Sequence, residues 1–236
     1  MLLVKDSMSR EVATLAPDAT AAVALALCRE RRIRHLPIVE AGRLVGVVSD
    51  RDLRSATPAL GDPERAAALR EIRVGDHMSR EPITALPEDP IEQAAKRMRE
   101  EGVGCLPVTE GGELVGILTT SDVVEAMMHL VGAYEPGSRL EVAMPEEPGA
   151  LAEVAGVFRD HGAKVLSVLA SPERDPRSGG PPPGGSPGER IAVFRLETIN
   201  PAGIVDALQK AGFAVRWPPA SPEDYRPDAP EEGRSA

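Results

Sequence analysis

A chain of 236 residues with 42% apolar residues can build one large packed domain or two to three small ones. Aromatics supply only 3%, so the cores must be mostly Ala, Val, Leu and Ile. A formal net charge of −10 argues against nucleic acid and against an anionic membrane surface, since both require clustered Lys and Arg.

The chain opens with MLLVKDSMSRE, which turns charged too soon for a signal peptide. No apolar run approaches the ~18 residues of a spanning helix, so a cytoplasmic location is expected. Residues 4–53 then align with 74–123 without a gap, and nineteen of the fifty positions are identical. A repeat of this length is a duplicated unit rather than a solenoid.

Each unit begins with a short extended segment, Thr14–Pro17 or Thr84–Pro87. A helix follows, with Ala21, Ala24, Leu25 and Cys28, or Ile91, Ala94, Ala95 and Met98, on one apolar stripe. Asp89 is expected to cap the second of these helices, with Pro90 in its first turn. Two strands come next, through HLPIVE and RLVGVVS, or CLPVTE and ELVGILT, joined by a turn at Gly42 or Gly111–Gly112. Another helix opens after Ser49 or Thr119. A unit of about fifty residues has a marginal core alone, so the two copies should pack about a pseudo-twofold. Cys28 and Cys105 read as buried free thiols, not as a disulfide framework.

From Arg139 the pattern becomes βαββαβ, a ferredoxin-like sandwich. Its first helix starts near Gly149 and carries Leu151, Val154, Ala155 and Phe158. Asn200 caps the second helix and Gly212 closes it. Between the central strands, residues 171–189 are rich in Gly and Pro and read as a flexible loop. An acidic, proline-rich tail from residue 218 reads as disordered. The expected domains are repeat one at 1–60, a linker at 61–73, repeat two at 74–132, and a third domain at 138–217.

Two readings stand for Ser49-x-x-Asp52 and Thr119-x-x-Asp122. Either each is a capping box that closes a helix start, or each also holds a ligand. A helix start suits a phosphate, and an outward carboxylate can accept two hydrogen bonds from a ribose diol. Val12 and Ile83 are apolar neighbours able to sandwich a purine. Arg34, His35 and Arg51 stand beside the first motif, where repeat two has Gly104, Cys105 and Ser121. The arginines read equally as phosphate contacts or solvated charges, and His35 as a ligand contact or a packed structural ring.

The repeated h-P-V-x-x-x-G-x-L-V-G-h-h-[ST]-x-x-D resembles a tandem pair of CBS domains, a Bateman module. The resemblance implies two clefts that bind AMP, ADP, ATP or S-adenosylmethionine. It places the ribose carboxylates on Asp52 and Asp122 and their hydroxyl partners on Ser49 and Thr119. EVAMPEEPGALAEVAGVF resembles the opening of an ACT domain, with Pro148 and Gly149 in the matching positions. Glu146 stands where a shorter acid or amide is usual. The ACT resemblance implies amino-acid binding between subunits near Glu146, Gly149 and Gly162, although Gly149 also suits a plain strand-to-helix turn. This domain order is similar to that of bacterial acetoin-utilisation AcuB-type proteins.

The four histidines are dispersed, with no metal spacing, nucleophile elbow, phosphate loop or dinucleotide fingerprint. Catalytic residues, a metal and a required cofactor are not expected. The expectation is a non-catalytic, homodimeric regulator that senses adenine nucleotides and acts on a protein the sequence does not name. The alternatives are an amino-acid sensor through the ACT domain and a ligand-free interaction subunit.

Overall fold

The computed structural model describes residues 2–59, 62–171 and 188–218. Apart from their edges, the loop expected at 171–189 and the tail expected from 218 lie outside the described residues. The chain divides into two compact units, Met1–Ala126 and Met127–Ala236. Both are mixed α and β with open sheets.

The first unit contains both repeats except the last four residues of the final helix of repeat two. Repeat one runs α1 (Val4–Ser7), α2 (Ala21–Arg31), β1 (His35–Glu40), β2 (Arg43–Ser49) and α3 (Asp50–Ser55). α4 (Arg65–Glu71) follows, inside the stretch expected as a linker; RAAALRE is rich in strong helix formers. Repeat two runs α5 (Val74–His77), β3 (Ser79–Arg80), α6 (Ile91–Glu101), β4 (Cys105–Glu110), β5 (Glu113–Thr119) and α7 (Thr120–Leu130).

The stripes bury as their spacing predicts. Ala21, Ala24 and Cys28 of α2 are buried, as are Ile91, Ala94 and Met98 of α6, while Leu25 and Ala95 lie half-buried at the margins. Asp89 does not cap α6. Pro90 is the N-cap, and the Asp89 carboxylate instead accepts from the Leu86 N–H at 3.0 Å and pairs with Arg97 at 3.6 Å. β1–β2 and β4–β5 are antiparallel hairpins in matching register, His35 opposite Ser49 and Cys105 opposite Thr119. The extended lead segments bridge in parallel to the first strand of each hairpin, Leu15 to Ile38 and Ala85 to Val108.

The two copies exchange their N-terminal arms. β3 pairs with β2 of repeat one, and Ser9 bridges Ile117 of repeat two. Met78 packs onto Gly46 and Met8 onto Gly116, so closely that a Cβ at either glycine would stand 2.5 Å from the methionine sulfur. Val4 and Met8 thereby complete the repeat-two core around Leu106 and Leu118, while Val74 and Met78 complete that of repeat one around Leu36 and Val48. Paired backbone bonds repeat the exchange: the Val4 N–H donates to Asp89 and the Val74 N–H to Ala19, both at 2.9 Å. The packing units therefore cross the sequence boundary between repeats, about a pseudo-twofold.

The second unit runs β6 (Ser138–Pro145), α8 (Ala150–Asp160), β7 (Val165–Ala170), β8 (Glu189–Leu196), α9 (Ala202–Lys210) and β9 (Ala214–Trp217). Its antiparallel sheet has the order β7-β8-β6-β9, the ferredoxin-like βαββαβ arrangement. Phe158 of α8 meets Phe194 of β8 edge-on, with centroids 4.9 Å apart. Ala150, Val154 and Phe158 form the buried stripe of α8, whereas Leu151 is 49% exposed; the apolar face is rotated one residue from the expected one. The Asn200 carboxamide oxygen accepts from the Ala202 N–H at 3.1 Å, with Pro201 as the N-cap.

Candidate functional site

β2 and β5 each end on a hydroxyl residue that starts a helix. The Ser49 hydroxyl accepts from the Asp52 N–H at 3.2 Å. The Asp52 carboxylate reaches back through Oδ2 to the Ser49 N–H at 2.9 Å and the Ser49 hydroxyl at 2.6 Å. Repeat two copies this arrangement. Asp122 Oδ2 accepts from the Thr119 N–H and hydroxyl, both at 2.7 Å, and the Asp122 N–H donates to Thr119 Oγ1 at 3.4 Å. The capping reading is thus realised, with aspartate in the place usual for Glu or Gln. It engages one carboxylate oxygen only, since every bond the two carboxylates accept here ends on Oδ2.

The residue before each first hairpin strand ties that strand to the helix start. The Arg34 carbonyl accepts from the Asp50 N–H at 2.9 Å. The Gly104 carbonyl accepts from the Thr120 N–H at 3.1 Å and the Thr120 hydroxyl at 3.2 Å. His35 is half-buried, and its Cε1 and Nε2 lie 3.0 Å from where a Gly104 Cβ would stand. Burial, with the Arg34 guanidinium beside it, pulls the His35 imidazole below its ordinary range; Asp50 and Asp52 oppose that shift. In the matching position of repeat two, burial pushes the Cys105 thiol up to about 12. Burial, with Asp50 second, pushes Cys28 up to about 11. Both cysteines are free and buried.

The structure brings Arg34, His35, Ser49 and Asp52 together at the start of α3, and Thr119 and Asp122 at the start of α7. Arg34 and Arg51 are exposed. Val12 and Ile83 are both half-buried but are not equivalent positions. Ile83 packs on the repeat-two core; its counterpart is Ala13, on the repeat-one core, while Val12 corresponds to Pro82. Sequence reasoning passed over Asp50, Thr120 and the contact role of Gly104. Only the glycine left a signal, as the side-chain-free counterpart of Arg34.

In the second unit Gly149 is the N-cap of α8 at φ +103°, and no heavy atom lies within 4 Å of a Cβ built there. Its conformation, not a close approach, demands glycine, which is the turn reading. Glu146 is exposed. Gly162, at φ +63°, lines a cavity of about 230 Å³ with His161, Glu197, Thr198, Asn200 and Gly203. Gly149 and Gly162 lie at opposite ends of α8, an 11-residue helix, or about 16 Å at ~1.5 Å per residue. One chain therefore does not bring the three ACT candidates together. Among the described residues no cluster of His, Cys, Asp and Glu is placed to hold a metal, and no helix is long and apolar enough to cross a membrane.

The CBS domain sequence model matches residues 4–58 and 74–129, the two halves just described. A CBS domain-containing protein of Dictyostelium discoideum is 37% identical over 143 residues, which are 58% of this chain and 99% of that protein. The chain belongs to the CBS domain family. Its CBS pair is followed by an ACT domain, matched over residues 138–213. Homoserine O-acetyltransferase of Methanococcoides burtonii is 35% identical over 122 residues, which are 51% of this chain but only 23% of that enzyme. Among solved structures, a Vibrio cholerae protein assigned to acetoin utilisation, AcuB, is 34% identical over 57% of this chain and 96% of that chain, with a TM-score of 0.49. CBSX2 of Arabidopsis thaliana, solved in complex with AMP, is 28% identical over 55% of this chain and 99% of that chain, with a TM-score of 0.48.

Proposed function

We propose that this protein is a non-catalytic regulator whose CBS pair binds an adenosyl ligand, AMP, ADP, ATP or S-adenosylmethionine, at two positions marked by Asp52 and Asp122. The observation that carries this reading is the in-register duplication of a carboxylate that spends Oδ2 on its own helix start. Oδ1 of each is left for a donor from outside, and a ribose diol is such a donor. Ser49 and Thr119 position the carboxylates, Arg34, His35 and Arg51 add positive or polar groups on the repeat-one side, and Val12 and Ile83 offer apolar surface. In this reading the protein works as a homodimer, and α7 carries the state of the second site onward. That helix begins at the Thr119–Asp122 cap and runs past the division at Ala126. The regulated partner would be a protein.

A second reading, amino-acid sensing by the ACT domain, draws on the cavity beside Gly162. It requires Glu146 and Gly149 to come from another subunit.

A thermal-shift screen of the full chain with AMP, ADP, ATP, S-adenosylmethionine and the twenty amino acids separates the two. A ligand at a hundred times its dissociation constant stabilises by about 2.7 kcal/mol. A shift with an adenosyl compound that Asp52→Ala or Asp122→Ala removes supports the first reading. A shift with an amino acid alone supports the second.

A further inference from the structure

The two hydroxyl–aspartate motifs are joined by a contact that only one repeat can make. Position 34 of repeat one corresponds to 104 of repeat two, and 35 to 105. A perfect twofold would repeat any contact between 35 and 104 as an identical one between 105 and 34. Instead the His35 ring faces Gly104, with Cε1 and Nε2 each 3.0 Å from where a Cβ would stand. On its own side, His35 is the ladder partner of Ser49, whose N–H and hydroxyl hold Asp52. On the far side, the Gly104 carbonyl holds the N–H and hydroxyl of Thr120, the first residue of α7. The same first turn of that helix contains Asp122. An unbroken path of packed and hydrogen-bonded groups thus leads from one carboxylate to the other: Asp52, Ser49, His35, Gly104, Thr120, Asp122. The mirror positions hold Cys105, which has no ring to extend, and Arg34 in place of a glycine.

We propose that His35 couples the two clefts, so that a ligand on the Asp52 side displaces its ring and shifts the Gly104 carbonyl that anchors the start of α7. This rests on the adenosyl-ligand reading and adds to it that the sites are not independent. Gly104 is glycine, on this account, to admit the ring. His35 is a positioning residue for the second site, whatever it also touches in the first.

The test is a calorimetric titration of the full chain with AMP, and in parallel with ATP and S-adenosylmethionine. Asp122→Ala and Asp52→Ala give the constants of the first and second sites alone. The product of the two wild-type stepwise constants, divided by the product of those single-site constants, is the coupling factor. It is expected to depart from one by at least fivefold, the lower end of ordinary coupling. The same set is repeated with His35→Ala and with Gly104→Ala, whose Cβ would stand 3.0 Å from the ring and crowd it. In both backgrounds the factor is expected to fall within twofold of one, whatever happens to either affinity. His35→Gln serves in place of His35→Ala if the latter does not fold. Two independent sites in the wild type, or coupling that survives His35→Ala, overturn the proposal and leave the adenosyl reading standing. No binding of any of the three compounds overturns both.

Discussion

The two CBS repeats share register, bulge positions and capped helix starts, but they differ at the turns and at the point where they meet. Repeat two places Gly102 and Gly111 in the left-handed region, at φ +66° and +60°. Repeat one holds the equivalent positions with Arg32 and Ala41, at +55° and +48°. Where the first hairpin strands begin, repeat one has Arg34 and His35 and repeat two has Gly104 and Cys105. The duplicated frame is thus set by burial and hydrogen bonding that both sequences satisfy. Their differences collect at positions that cost one copy backbone strain or give it a polar group the other lacks.

Several substitutions separate what the repeats share from what they do not. The largest effects should be equal in the two copies. Leu36 and Leu106 are fully buried at matching positions, and Leu36→Ala or Leu106→Ala should each lower unfolding free energy by about 3 kcal/mol in urea titrations. A much smaller cost in one copy would mean that its core can collapse around the gap.

The exchanged arms should show a modest asymmetry. A Cβ on Gly46 would lie 2.9 Å from the Ser79 carbonyl oxygen, and one on Gly116 would lie 3.1 Å from that of Ser9. Gly46→Ala and Gly116→Ala should each cost about 2 kcal/mol, with Gly46→Ala the worse. Equal, negligible costs would show that the arms move apart freely.

At the turns the signs should be opposite. Gly111→Ala should destabilise by about 1 kcal/mol, because left-handed backbone is costly for any residue with a Cβ. Ala41→Gly should be neutral to stabilising by at most about 1 kcal/mol, measured by the same denaturant midpoints.

The smallest effect distinguishes His35 from Cys105. The folded-state pKa of His35 is lowered, so the unfolded chain takes up its proton first. Its contribution to stability is complete above the ordinary value of about 6.5 and is lost as pH falls through that value towards the folded one. His35→Gln should flatten the wild-type stability profile in that window, while Cys105→Ser should leave its slope unchanged. A profile that His35→Gln does not alter would place the imidazole in a more solvated setting.

Much of the frame is legible in the sequence because periodicity and repetition both report burial. The stripes of α2 and α6, the two hairpins and the ferredoxin-like order follow from apolar spacing and turn residues. The arm exchange is not legible, because MSRE announces a repeated element without naming what it packs against. α1 and α5 are single turns of four residues, too short to show a period. Asp89 looked like a cap because Pro90 follows it, but proline took the N-cap and the carboxylate turned to Leu86 and Arg97. Leu151 lay within the expected stripe, yet the chain buried Ala150 beside it. At the candidate site, the hydroxyl–aspartate pairs could be read directly. The approach of His35 to Gly104 could not, because it joins positions brought together only by packing of the repeats.

The most direct test of the account is the number of adenosyl ligands bound per chain, measured by calorimetric titration of wild type, Asp52→Ala, Asp122→Ala and the double variant. The account predicts two in the wild type, one in each single variant and none in the double variant. Binding that persists undiminished in the double variant, or no binding by the wild type at millimolar AMP, ATP and S-adenosylmethionine, would contradict it and leave the two aspartates as helix caps alone.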